Sequence, residues 1–145
     1  MTTLESPRTL KGSKFSERVT MATKSIPVTV ATTTNSQAVS VYRGEDVALN
    51  CTFAANTNIT GWTLSFTVRD RLGGNVLFQK TTSAGITITS PSTGAFTVSV
   101  ASADTATATG TGCGAWVYDI CRVDSGNDTV LATGAFKVLP GVTVP

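Results

Sequence analysis

A chain of 145 residues with 14% charged residues and a net charge of +2 has room for one domain and a tail, and carries too little charge overall to argue for nucleic-acid recognition. It contains no histidine, which removes the commonest general base and the commonest metal ligand. Threonine, serine, glycine and alanine dominate and β-branched residues recur in short runs, so strands and turns are expected rather than helices.

The charge is unevenly placed. Residues 1–24 hold Arg8, Lys11, Lys14, Arg18 and Lys24 against Glu5 and Glu17, a net +3, whereas the remaining chain is net −1. A basic segment of this kind could touch an acidic protein face, a membrane surface or nucleic acid, or could serve only to keep the chain in solution. These five residues are the candidate partner-binding positions. No apolar run approaches the ~20 residues of a membrane span. The first 25 residues also lack the ~7–15-residue apolar stretch of a secretory signal. Met21 opens MATKSIPVTV, which also reads as a natural start, so residues 1–20 could be an upstream extension.

Residues 1–24 show no periodicity and are expected to be irregular. Residues 26–34, IPVTVATTT, are expected to be extended, as a strand paired with a neighbour or as a linker. The sequence divides into an extended basic arm over 1–38 and a folded domain over 39–145. Val39 and Val41 alternate with polar residues, and Arg43-Gly44-Glu45-Asp46 reads as a turn. Val47, Leu49, Cys51 and Phe53 then alternate with polar or small residues, the period-two signature of a half-buried strand. After a loop over 55–61, Trp62, Leu64, Phe66 and Val68 share one face, with Thr63, Ser65, Thr67 and Arg69 on the other.

The Gly73-Gly74 pair is suited to a hairpin turn, and 76–81 is the returning strand. Ser83-Ala84-Gly85 turns again. Short strands follow around Ile86 and Ile88, and around Phe96, Val98 and Val100. Residues 102–108 could form one helical turn with Ser102 as its cap. Trp116, Tyr118 and Ile120 share a strand face, 124–128 make the last hairpin turn, and Ala132, Gly134, Phe136 and Val138 form the final strand. Some seven to nine short strands at regular spacing are the pattern of a β-sandwich. The aromatic residues Trp62, Phe66, Phe96, Trp116, Tyr118 and Phe136 alternate with polar neighbours and read as core.

Cys51, Trp62 and Cys121 imitate the cysteine–tryptophan–cysteine order of immunoglobulin domains. The phase opposes a 51–121 bridge. Cys51 points inward with Val47 and Leu49, whereas Cys121 points outward if Trp116, Tyr118 and Ile120 face the core. Cys113 could pair with Cys121, but three reduced thiols are the preferred reading.

Little else suggests chemistry. No cysteine pair has the two-residue spacing of a zinc site, and no cofactor or metal is expected. Asp124 and Asp128 loosely resemble a calcium loop without its full ligand series. Asp119 sits mid-strand on the outward face with Val117 and Cys121. It is expected to pair with Arg122 or Arg69 across the sheet, or to make an interface contact. The glycine-rich 109–114 lacks the Lys-Ser/Thr ending of a phosphate loop. Three Asn-x-Thr triplets, at Asn50, Asn58 and Asn127, are matches of low specificity.

The order of motifs is nevertheless specific. GWTLSFTVRD (61–70) is followed by the Gly-Gly turn, VLFQKTTSAGITIT (76–89), GAFTVSVASADTATA (94–108), WVYDICRVDSGN (116–127) and GAFKVLPGVT (134–143). This succession resembles small immunoglobulin-like virion proteins of tailed bacteriophages and is similar to the N-terminal domain of phage upper-baseplate proteins. The resemblance covers residues 40–143 and leaves out the arm. The three cysteines depart from it.

The resemblance implies an all-β, immunoglobulin-like antiparallel β-sandwich with an extended N-terminal arm. It implies a non-enzymatic structural protein of the virion, assembled in the bacterial host cytoplasm, with no catalytic residues to carry over. A capsid decoration (cement) protein anchored by its arm is the first expectation. Its partner would be the major capsid protein or a neck or tail protein, and it would form a homo-oligomer, with a trimer favoured. A neck, tail-fibre or baseplate adaptor is the alternative. A host-surface or carbohydrate-binding module, using the loops at 56–60 and 125–128, is the alternative of another class. Neither a membrane nor a specific nucleic acid is an expected partner.

Overall fold

In the computed structural model, the described residues are 24–30, 37–108, 114–124 and 126–141. They form nine strands and one short helix, α1 (Ser102–Thr105). Two sheets pack face to face as an all-β sandwich. One contains β1 (Lys24–Val30), β3 (Val47–Phe53), β7 (Ala95–Val100) and β6 (Ile86–Ser90), in that spatial order. The other contains β2 (Val39–Tyr42), β9 (Asn127–Leu139), β8 (Gly114–Asp124), β4 (Leu64–Arg69) and β5 (Val76–Thr81).

Period-two alternation makes this core. Val47, Leu49, Cys51 and Phe53 of β3 are all buried, and face Phe66, Val68, Tyr118, Ile120, Phe136 and Val138 of the other sheet. Aromatic rings knit the five-stranded side. Phe66 stacks on Tyr118 at 5.4 Å between centroids and meets Phe136 at 6.2 Å, and Trp116 stacks on Phe136 at 6.4 Å.

The ladders are not wholly antiparallel, contrary to the expectation from sequence. Five pairings are antiparallel, but β1 runs parallel to β3 and β2 runs parallel to β9. Alternation within a strand records which residues face inward and is blind to the direction of the neighbour. Residues 24–30 join the four-stranded sheet, with Val28 and Val30 in the core. The sandwich therefore reaches back into the segment that the sequence assigns to the 1–38 arm. Pro27 is tolerated in β1 because this is an edge strand, where a missing N–H costs no internal ladder bond.

Two local expectations are corrected, and β9 carries an irregularity the sequence does not announce. Trp62 lies ahead of β4 rather than within it, and packs edge-on against Phe53 at 6.0 Å. The cap of α1 is Ala101, not Ser102. The Ala101 N–H donates to Asp104 Oδ2 at 2.7 Å, and the Ser102 N–H donates to Asp46 Oδ1 at 2.7 Å. In β9 a register shift opposite Ile120–Cys121 lets consecutive residues, Leu131 and Ala132, both be buried.

Edge strand β2 is short, at four residues, and edge strand β5 is guarded. On edge strand β5, Lys80 forms an ion pair with Asp104 of α1 at 2.8 Å, with both side chains mostly buried. That places a charge where another strand would otherwise add.

Candidate functional site

Five-stranded sheet, outer face. Apart from Val117, the residues pointing away from the core in the middle of β4, β8 and β9 are small or polar: Ser65 and Thr67, Asp119 and Cys121, Thr133 and Ala135. Ser65 and Thr67 are nevertheless only 4% and 7% exposed. Gln79 of β5 lies across them, its Nε2 within 3.0 Å of both Ser65 Oγ and Thr67 Oγ1, while those hydroxyls lie 3.3 Å apart. Each buried hydroxyl is thereby hydrogen-bonded, as burial requires.

Beside this network the face sinks into a concavity of about 350 Å³. Thr67, Val117, Asp119 and Ala135 line it from the strands, and Leu72 and Gly73 overhang it from the hairpin between β4 and β5. The hairpin needs its glycine. Gly73 has φ of +70°, and the Gly74 N–H donates to the Arg71 carbonyl at 2.8 Å to close the turn. Asp70 Oδ1 accepts the Asn75 N–H at 3.0 Å, and Arg69 donates to the Gly74 carbonyl at 2.7 Å. The turn is therefore pinned, and Leu72 at its tip stands 86% exposed.

Gly134 makes the other close approach. A Cβ there would lie 2.2 Å from the Gln37 carbonyl oxygen and 2.8 Å from the Tyr118 ring. The Tyr118 hydroxyl donates to that same carbonyl at 2.7 Å, tying the entry of β2 to β8.

Asp119 is the acid of the concavity. Its neighbour is Arg69, one of the two partners expected from sequence. The other, Arg122, pairs with Asp124. Half-burial pushes the Asp119 carboxyl above its ordinary value, opposed by the Cys121 thiol and by the Arg69 charge. Burial and the adjacent Asp119 push the Cys121 thiol up to about 11, so it is a weak nucleophile at neutral pH. Cys51, in the core, is pushed up to about 12 by desolvation. Cys51 and Cys121 are both free thiols on opposite faces, as their phase requires. Cys113 lies outside the described residues.

A second polar cluster closes the opposite end of the sheet. Asp124 accepts the Thr63 N–H and pairs with Arg122, whose guanidinium stacks 4.1 Å above the Trp62 ring. The Thr63 N–H, foremost, holds the Asp124 carboxyl below its ordinary value. Both Asp124 oxygens are thus taken up by protein donors. In the nearby 55–61 loop, Asn58 Oδ1 accepts the Thr60 N–H at 2.9 Å and Ile59 is anchored in the core.

Of the candidate partner-binding residues, Arg8, Lys11, Lys14 and Arg18 lie outside the described residues. The backbone of Lys24 opens β1 opposite Val47, and its side chain is likewise outside them. What the sequence reading missed is the concavity, because its lining comes from three strands and one turn that only the fold brings together. No helix among the described residues is long and apolar enough to cross a membrane.

No protein-family model matches the chain, and no curated protein matches it. Among solved structures it is similar to the N-terminal domain of phage TP901-1 ORF48. The likeness has a TM-score of 0.50 and 11% sequence identity, and covers 80% of this chain and 98% of that one. At this identity the likeness establishes a common fold.

Proposed function

We propose that the chain is a non-enzymatic structural protein of a tailed-phage virion, and specifically a capsid decoration protein held by its basic N-terminal arm. The observation that carries this reading is the fold: nearly the whole of a phage protein's N-terminal domain superposes on the sandwich. The same type of protein is reached independently from the five motifs in order over residues 40–143. The chemistry agrees. Without histidine in the sequence, with the half-exposed Cys121 thiol held protonated and with Asp124 tied up structurally, no pairing of nucleophile and base is found among the described residues. A small sandwich with a charged arm suits a protein whose task is to bridge others, because an extended segment adds contact area without a larger core.

The reading is tested by co-sedimenting the full-length protein with purified virions. We expect the wild type to pellet with particles, and a variant with Arg8, Lys11, Lys14 and Arg18 changed to Glu to remain in solution while melting at the same temperature. Retention of that variant on particles would remove the arm from the account, and failure of the wild type to bind would remove the virion. A neck or tail adaptor is the second reading, favoured by the similarity of the motifs to upper-baseplate N-terminal domains. Labelling at one end of the particle rather than over the shell would select it.

A further inference from the structure

The concavity on the five-stranded sheet has a defined chemistry. Leu72 and Val117 give it aliphatic walls, and Thr67, Gly134 and Ala135 keep it open. Its one carboxylate, Asp119, shares its strand face with the Cys121 thiol and feels the Arg69 charge, with no backbone or charged donor hydrogen-bonded to it among the described residues. The cation nearby, Arg69, uses an N–H on the Gly74 carbonyl. A half-buried carboxylate with no backbone or charged donor on it among the described residues has lone pairs to spare, and a further charge-assisted bond would stabilise it. The group that fits such a place is a long basic side chain, with its methylenes along Leu72 and Val117 and its charged head on Asp119.

The chain itself supplies that group. Residues 1–23 carry Arg8, Lys11, Lys14 and Arg18 against Glu5 and Glu17, whereas the rest of the chain, apart from Lys24, is net negative. Extended, such a segment spans about 80 Å, well beyond the width of one sandwich. We propose that the concavity receives the basic segment 1–23 of a neighbouring copy of the chain, with one of its Lys or Arg residues on Asp119. The neighbour is chosen on topology. The segment leads into β1, in the four-stranded sheet, while the concavity opens on the outer face of the other sheet. We therefore take the segment of a neighbouring copy as the occupant, and mixing labelled with unlabelled chains separates it from the chain's own. The segment is long enough to hold a neighbouring copy and still reach a virion partner. The inference also stands apart from the virion reading, since it is tested on the purified protein alone.

The test uses full-length protein, half of it labelled with ¹⁵N, treated with a carbodiimide that joins a carboxylate to a lysine amine in direct contact. Peptides are then read by mass spectrometry. We expect Asp119 joined to Lys11 or Lys14 in peptides of mixed label, and loss of that product in Asp119→Asn. In parallel, Asp119→Asn should speed tryptic cleavage after Arg8, Lys11, Lys14 and Arg18 by about tenfold, the equivalent of one lost charge-assisted contact, and Leu72→Lys should do the same by setting a like charge at the rim. The proteolysis reads an Arg on Asp119 as well as a Lys, and Leu72 is exposed enough to be changed without unfolding the domain. Cleavage unchanged in both variants would overturn the proposal. So would Asp119 cross-links confined to a single label.

Discussion

The two faces of the five-stranded sheet are built from the same strands under opposite rules. The inner face, with Leu64, Phe66, Val68, Ile120, Phe136 and Val138, is large, apolar and fully buried. The outer face, with Ser65, Thr67, Asp119, Cys121 and Ala135, is small and polar, yet two of its hydroxyl residues are as buried as core. Burial on the inner side comes from removing apolar surface from water. On the outer side it comes from neighbouring side chains meeting over a polar ladder and an overhanging turn. The first arrangement holds the fold, and the second shapes a surface. Changes on the two faces should therefore separate stability from binding.

The largest effect belongs inside. Phe66→Ala removes the ring that meets Tyr118, Phe136 and Phe78 and should cost about 3–5 kcal/mol in urea unfolding. A loss no larger than that of an outer-face change would break the comparison. Gly134→Ala comes next, at about 1–3 kcal/mol, because backbone at Gln37 has to move to admit the methyl.

The core thiol and phenol add a dependence on pH. Cys51 is raised from 9.0 to about 12 and Tyr118 from 10.0 to about 12, chiefly by desolvation. Each holds its proton more tightly folded than unfolded, so its contribution is intact below its unfolded value and is lost as pH rises toward about 12. The melting temperature should fall over that alkaline window, and Cys51→Ala should make the fall shallower. An unchanged slope would mean that Cys51 is not sealed in the core.

Outer-face changes are smaller. Gln79→Ala should cost about 1 kcal/mol through the two hydroxyls it leaves less satisfied. Leu72→Ala should shift stability by no more than about 0.5 kcal/mol, while loosening whatever occupies the concavity. If Leu72→Ala destabilised the fold as Gln79→Ala does, the turn would be structural rather than a rim.

Legibility in the sequence follows the same division. The inner face was readable because alternation at Val47–Phe53, Leu64–Val68 and Trp116–Ile120 records which way each side chain points. Phase alone also separated Cys51 from Cys121. The parallel β1 and β2 were not readable, since alternation carries no sense of direction. Trp62 was placed one step too far into its strand because a loop residue packed on the core keeps the phase of the strand beside it. The concavity left no local signal. Asp119 stands out as an acid in mid-strand, but Leu72, on the glycine turn over it, is 47 residues away in the chain (119 − 72), and the hydroxyl ladder depends on Gln79 lying across from Ser65 and Thr67.

The central claim, that this is a structural component of a phage particle, is tested most directly by quantifying the protein in purified virions against the major shell subunit by mass spectrometry with isotope-labelled standards. A decoration role predicts a copy number of the same order as the shell subunit. A few copies per particle would move the protein to a neck or tail ring, and its absence from particles would contradict the account.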